Sequence, residues 1–165
     1  MEDIKREKLM NLIDVLTYLT EGAPVKLIAY HGSPVLFNKF DKSKINTGTG
    51  DGNMYGPGFY FASAPALAKA WNKHGYLYKC ELTFSNPYYA LSGEDRDKLA
   101  ELMKSQMVNG KNTWDMTEFF KAGYDGVISK NEKWETGNKN RPNVKHNQYV
   151  VYEPNQIKIL KVGKY

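Results

Sequence analysis

The segment GPGFYFA at residues 56–62 is the part of the sequence on which the fold prediction rests. Small, turn-forming residues lead into an aromatic run in which Tyr60 alternates with a phenylalanine on either side. Alternation with a period of two is typical of a strand, and Pro65, which follows closely, suits the first turn of a helix. We therefore expect a strand over residues 58–61 and a helix over residues 65–73.

Upstream of this strand, an apolar run over residues 25–30 predicts a second, buried strand that leads to His31 and Gly32. An imidazole both donates and accepts hydrogen bonds, and a residue without a Cβ lets a ligand approach the backbone closely. Taken alone, the pair favours a half-buried structural histidine over a ligand-binding one. Tyr60 and Trp71 could form two walls of a slot for a flat ring, but taken alone they favour an aromatic core.

Two further segments have a distinct composition. Residues 4–19 place apolar side chains at helical spacing, which predicts an amphipathic helix within residues 1–24. Residues 33–57 form a long stretch that is dense in Gly, Asn, Asp, Ser and Thr. Loops of that length inside a domain are usually functional or disordered.

The remaining sequence predicts short strands with helices between them. We expect strands over residues 76–84, 124–129, 148–152 and 156–162, a helix over residues 94–107, and a shorter helix capped by Thr113 or Asp115 that ends before Gly123. The helices do not alternate regularly with the strands, and this order favours an α+β fold.

The segment NQYVVYEP at residues 147–154 is a third candidate for function. Strand alternation places Gln148, Val150 and Tyr152 on one face and the residues between them on the other. A polar side chain at the head of an otherwise apolar strand is expected to meet water or a ligand.

Length, charge and cysteine content limit the class of protein. A chain of 165 residues suits one domain, and its net charge of +5 is compatible with a polyanionic partner. No apolar run reaches the roughly 18 residues that span a bilayer, and the charged first residues lack an apolar signal segment. Cys80, the single cysteine, has no internal disulfide partner and no CxxC spacing. We expect a cytoplasmic protein with neither a metal nor a membrane partner.

Taken together and in this order, the three segments resemble the ADP-ribosyltransferase superfamily. The resemblance is to the diphtheria-toxin-like and poly(ADP-ribose)-polymerase-like branch, which carries a His, a Tyr and usually a Glu on three strands, and is closest to small bacterial and phage-encoded members. His31 in HGS and Tyr60 in GFYFA match the first two positions, and Gln148 stands where the Glu is usual. The similarity extends over about residues 31–160.

The resemblance implies a fold and a donor. The expected fold has two small antiparallel or mixed sheets that form a split β-sandwich around an NAD+ cleft, with flanking helices. His31 would bind an adenosine-ribose hydroxyl, the Gly32 backbone would bind the nicotinamide carboxamide, and Tyr60 would stack on the nicotinamide. The wider set of implied donor contacts comprises Ser33, Gly48, Gly50, Gly58 and Trp71, with the glycine-rich loop near the pyrophosphate.

Gln148 is a departure from the family pattern. An amide oxygen keeps a hydrogen bond to the nicotinamide ribose, but it supplies no negative charge and no base. We therefore expect transfer of a single ADP-ribose and no chain elongation. Strand alternation directs Glu153 away from Gln148, whereas Glu132 and Glu135 lie in the preceding loop and remain candidates for a compensating carboxylate. Ala68 aligns with the Ser that usually contacts the nicotinamide amide.

The acceptor is expected to meet the polar loop at residues 130–146. Its basic and aromatic side chains suit single-stranded nucleic acid and include Lys133, Trp134, Lys139 and Arg141. A protein acceptor and a merely solvated loop both remain open, as do an NAD+ glycohydrolase and a catalytically silent binding module. Because unrestrained transfer harms the host cell, family analogy favours a toxin, phage-defence or phage effector protein with a possible inhibitor partner.

Overall fold

The computed structural model describes residues 22–45, 54–70, 74–132 and 146–165. Its strands are β1 (Val25–Ser33), β2 (Phe59–Ala62), β3 (Tyr76–Phe84), β4 (Pro87–Ala90), β5 (Lys104–Val108), β6 (Lys111–Asp115), β7 (Gly126–Glu132), β8 (His146–Val151) and β9 (Ile157–Lys164). The α-helices are α1 (Pro65–Lys69), α2 (Gly93–Leu102) and α3 (Thr117–Lys121), and short 3-10 turns lie at Lys42–Lys44 and Pro154–Gln156. No helix in these ranges is both long and apolar enough to cross a membrane.

A seven-stranded mixed sheet in the order β4-β7-β8-β2-β1-β3-β9 forms the body, and β5 and β6 form a separate hairpin. β1 pairs with β3 along its whole length, from Val25 opposite Phe84 to Ser33 opposite Tyr76. Between β1 and β2 the pairing is confined to Tyr30 opposite Ala62. The sheet is therefore split into two halves that meet at a narrow junction, and the predicted α+β class with a split sheet is confirmed.

Strand alternation gives the sheet two buried faces. The first cluster lies on one face and consists of Ala29, Phe40, Phe59, Phe61, Tyr78, Cys80, Leu82, Phe84, Ile128, Tyr149 and Val151. The second cluster lies on the other and consists of Tyr55, Ala90, Leu99, Met103, Met116, Phe119, Val127, Val150 and Tyr152. Because β2, β7 and β8 contribute to both clusters, their side chains alternate between the two layers, as the period-two pattern of residues 148–152 predicts.

The helix predicted over residues 94–107 is too long. α2 ends at Leu102, and the following residues form the exposed β5–β6 hairpin. Asn109 and Gly110 make its turn with φ values of 50° and 74°, a backbone geometry that the Asn-Gly pair favours in two-residue hairpins. That turn pairs β5 with β6, and the helix itself ends where Met103 leaves helical geometry with φ −108° and ψ 72°.

Other boundaries also differ from prediction. β1 and β7 continue beyond the predicted ends, β4 was not predicted, and α1 ends at Lys69 within the described residues. Asp115 accepts a hydrogen bond from the Thr117 amide at 3.0 Å and stabilises the start of α3, although Met116 occupies the capping position. The predicted N-terminal helix at residues 4–19 lies outside the described residues.

Tyr78 fastens the loop after β1 to the sheet. Its fully buried ring stacks on Phe37 with centroids 4.1 Å apart. The Tyr78 hydroxyl donates to the Phe37 carbonyl at 2.9 Å and accepts from the Phe37 amide at 2.6 Å. One side chain thereby satisfies both backbone polar groups of a loop residue that has no strand partner.

Replacing Tyr78 with Phe tests this anchor. Both Phe37 backbone groups lose their partner in Tyr78→Phe, which we expect to lower the free energy of unfolding by about 1–3 kcal/mol. Urea unfolding followed by fluorescence measures the change. Tyr89→Phe is the matched control, because Tyr89 is 44% exposed on an edge strand. Equal stability of the two variants would contradict the role given to the Tyr78 hydroxyl.

Candidate active site

His31 bridges the junction between the two halves of the sheet. Its Nδ1 lies 2.8 Å from the carbonyl oxygen of Tyr60. A carbonyl only accepts, so Nδ1 carries the proton in this contact, and in the neutral ring Nε2 is an acceptor. The side chain therefore has one nitrogen committed to the fold and one available to a hydroxyl donor.

The surroundings of His31 keep its ring neutral. Four aromatic rings lie with centroids 5.2 to 6.3 Å from the imidazole and belong to Phe37, Phe40, Phe61 and Tyr78. Burial among them lowers the pKa of His31 from its ordinary value of 6.5, and the hydrogen bond to the Tyr60 backbone opposes that shift in part. A neutral imidazole at neutral pH is the consequence.

Tyr60 is held by its hydroxyl group. The phenol oxygen donates to the Gly56 carbonyl at 2.7 Å and accepts from the Tyr55 amide at 2.9 Å. These two bonds fix the ring, which is half-buried against the second cluster. A Cβ at Gly58 would lie 2.6 Å from Val150 Cγ1, so that glycine is needed for packing between the β2 and β8 strands.

Gln148 shares a sheet face with Tyr60. It lies opposite Ala62 on β2 and opposite Ser129 on β7, while Tyr60 lies opposite Val150 two residues further along β8. His31, in contrast, packs its ring among residues of the first cluster. A ligand that contacts all three side chains must therefore cross the sheet at the junction, where β1 and β2 separate.

Gly32 is the point at which α1 packs on β1. A Cβ at this position would lie 2.1 Å from the Ala68 carbonyl oxygen, and Ala68 itself is buried. The neighbouring Ser33 hydroxyl donates to the Val35 carbonyl at 2.8 Å and accepts from the Val35 amide at 3.1 Å. Gly32 thus keeps the backbone close to α1, whereas the Ser33 hydroxyl shapes the turn that follows β1.

A network beside Gln148 was not predicted from the sequence. Ser129, directly opposite Gln148, receives hydrogen bonds from the Tyr55 hydroxyl at 3.1 Å and from Arg96 Nη2 at 3.4 Å. The same Arg96 nitrogen donates to the Lys130 carbonyl at 2.9 Å. Its members come from a loop, a helix and a strand, and no sequence spacing relates them.

A cavity of about 190 Å³ adjoins this network. Its lining comprises Met54, Tyr55, Arg96, Leu99, Ala100, Met103, Ser105 and Trp114. One guanidinium group and two aromatic rings thus stand around a small opening on the face that carries Gln148.

The remaining candidates divide into two groups. Glu153 forms a surface ion pair with Lys42 at 2.6 Å, as expected for a carboxylate directed away from Gln148. The predicted residues Gly48, Gly50, Trp71, Lys133, Trp134, Lys139 and Arg141 lie outside the described residues, as does Glu135. Within the described ranges, no cluster of three or more His, Cys, Asp or Glu side chains is placed to hold a metal ion.

The neutral state of His31 has a measurable consequence for stability. As the pH falls below 6.5, the unfolded chain binds a proton at His31 before the folded chain does. Stability is therefore lost from that pH downward, and His31→Gln should show a shallower loss over the same range. Denaturant unfolding at several pH values measures the difference. Nitrogen NMR should show a neutral, Nδ1-protonated ring at pH 7, and an imidazolium there would contradict the assignment.

Comparison with known proteins identifies the family of the chain. The chain matches none of the curated proteins. The family model described as ADP-ribosyltransferase in polyvalent proteins matches residues 20–162, nearly the whole chain. That range includes all three motif strands and the network beside Gln148. The chain therefore belongs to this ADP-ribosyltransferase family.

Proposed function

We propose that this protein cleaves NAD+ and transfers one ADP-ribose to a macromolecular acceptor. The observation that supports the proposal is the order of the three motif strands, since β8, β2 and β1 are neighbours in one sheet. His31 bonds to the Tyr60 backbone at 2.8 Å, and Gln148 lies on the next strand and on the same face as Tyr60. His31 Nε2 would accept from an adenosine-ribose hydroxyl, and the Tyr60 ring would pack on the nicotinamide.

The proposed reaction breaks the bond between the nicotinamide nitrogen and the anomeric carbon of the ribose. The bonding electron pair goes to the pyridinium nitrogen, so nicotinamide leaves as a neutral molecule. The acceptor nucleophile forms the new bond to the anomeric carbon and gives its proton to solvent. Holding NAD+ with this carbon exposed to the acceptor supplies orientation, which lowers the barrier without covalent help from the protein.

In this proposal, Gln148 restricts the reaction to the transfer of a single ADP-ribose. Its amide oxygen accepts a hydrogen bond from the nicotinamide ribose but does not act as a general base. Glu153 is paired with Lys42 and does not substitute for it. A second ADP-ribose would need an activated ribose hydroxyl as its acceptor, so the product carries a single ADP-ribose.

A nucleic acid is the acceptor that the described residues favour. Arg96, Tyr55 and Trp114 line one cavity, and two of them bond to Ser129, which lies opposite Gln148. Guanidinium groups bind phosphates, and the partly exposed ring of Trp114 is available to stack a base. The net charge of +5 also favours a polyanionic acceptor. A transferase of this kind fits a toxin or phage effector that is held in check by an inhibitor protein.

Incubation with labelled NAD+ and separate RNA, DNA and protein pools tests the function. We expect label on nucleic acid and release of one nicotinamide per modified site. Label confined to protein would contradict the proposed nucleic-acid acceptor but would still support ADP-ribosyl transfer. Free ADP-ribose without labelled macromolecule would identify a glycohydrolase, and intact NAD+ would leave a binding module.

Two substitutions test the role of Tyr60. Tyr60→Ala removes the ring and should reduce NAD+ turnover at least about 100-fold, since orientation effects of that size follow small displacements in a site. Tyr60→Phe, which keeps the ring, separates stacking from the hydroxyl bonds to residues 55 and 56. Undiminished turnover in a folded Tyr60→Ala protein would exclude the ring from the site.

Gln148→Glu tests the third position. A carboxylate stabilises the cationic ribose more than an amide does, so NAD+ cleavage should be retained or raised. Gln106→Glu, on an exposed strand of the hairpin, is the matched control for the added charge. A Gln148→Glu protein that folds and binds NAD+ but no longer cleaves it would contradict the role given to Gln148.

A further inference from the structure

Tyr165 places a buried hydroxyl next to the candidate nicotinamide site. Its backbone extends the β3–β9 pairing, since the Tyr165 amide donates to the Gly75 carbonyl at 3.0 Å and the Gly75 amide donates to the Tyr165 carbonyl at 3.2 Å. The ring lies under α1, with Lys69 Nζ 5.1 Å from its centroid. The phenol oxygen is buried and has no hydrogen-bond partner among the described residues.

A buried hydroxyl without a partner needs a physical explanation. Leaving such a group unpaired is destabilising, and a role in the chemistry of a site is one of the usual reasons for it. A Cβ at Gly32 would lie 3.3 Å from the Tyr165 oxygen and 2.1 Å from the Ala68 carbonyl oxygen. The unpaired hydroxyl, the Gly32 backbone and helix α1 therefore meet at one point.

The Tyr165 hydroxyl lies where the donor site lacks one expected hydrogen-bond donor. On the proposed function, the Gly32 backbone holds the nicotinamide carboxamide, and Ala68 offers only a methyl group where related proteins have a serine. A carboxamide has one carbonyl oxygen and two N–H donors, and each needs a partner once water is excluded. Burial raises the pKa of the Tyr165 phenol, so the hydroxyl keeps its proton at neutral pH and remains a donor.

We propose that the Tyr165 hydroxyl donates a hydrogen bond to the carboxamide oxygen of the nicotinamide and so replaces the hydroxyl that Ala68 lacks. This inference rests on the proposed function. Tyr165 is then a donor-binding residue that directly follows β9 and lies outside the three motif strands. Its contribution is to binding and orientation of the nicotinamide group.

Tyr165→Phe tests the contact, because it removes only the hydroxyl. The variant should bind NAD+ and free nicotinamide about 10-fold more weakly, the effect of one buried hydrogen bond. ADP-ribose, which has no carboxamide, should bind both proteins equally. Isothermal calorimetry with the three ligands gives these affinities, and Tyr89→Phe serves as the control substitution on the surface. The thermal midpoint of Tyr165→Phe should not fall, since the lost hydroxyl has no partner in the free protein.

A second substitution and the wild-type protein complete the test. Ala68→Ser in the Tyr165→Phe background adds a hydroxyl on α1 at the position where the resemblance expects one and should recover part of the lost NAD+ affinity. Equal NAD+ binding by wild type and Tyr165→Phe would overturn this inference and leave the proposed function intact, as would an equal loss for NAD+ and ADP-ribose. A wild-type protein that binds none of the three ligands would overturn the proposed function and this inference with it.

Discussion

The hydrogen bond from the His31 imidazole to the Tyr60 carbonyl, 2.8 Å long, is the constraint on which the site depends. It joins the two halves of the sheet just beyond Tyr30 and Ala62, the last residues of β1 and β2 that pair. One side chain thus holds the Tyr60 backbone at the point where β1 and β2 stop pairing, and the same bond sets the tautomer of the imidazole. The hydrogen bond that joins the two halves of the sheet is therefore also the bond that positions Tyr60 in the candidate site.

Local sequence patterns predict the elements whose side chains face a continuous core. β3 has the predicted bounds of residues 76–84 because its alternating residues pack in the first cluster along the whole strand. The same reasoning fails over residues 104–115, which are almost entirely exposed. There the turn geometry of Asn109 and Gly110, and not burial, decides the structure. A helical reading of residues 94–107 overlooked that turn.

The candidate site likewise contains residues that the sequence predicts and residues that only the structure identifies. His31, Tyr60 and Gln148 were predicted from the sequence, since each sits in a strand motif with a recognisable order. Tyr55, Arg96, Ser129 and Tyr165 were not, because their relation to the motifs exists only after folding. Ser129 meets Gln148 through strand pairing, and Tyr165 meets Gly32 through the packing of β9 and α1. Sequence motifs thus predict side chains on the motif strands, whereas the neighbouring side chains from other elements are identified only in the folded structure.

The charge around Gln148 bears on the choice of acceptor. A carboxylate here would stabilise the cationic ribose and would also pair with Arg96, whose guanidinium reaches the neighbouring Ser129 at 3.4 Å. With the neutral amide in place, Gln148 contributes no negative charge beside Arg96, which hydrogen-bonds to Ser129 and to the Lys130 carbonyl. On the proposed function, the positive charge of Arg96 at this face disfavours a cationic acceptor and favours an anionic one. A phosphate backbone bound at Arg96 would neutralise this charge and place negative charge beside the ribose as nicotinamide leaves. On the proposed function, an amide at the third motif position therefore suits a polyanionic acceptor better than a neutral or basic protein surface.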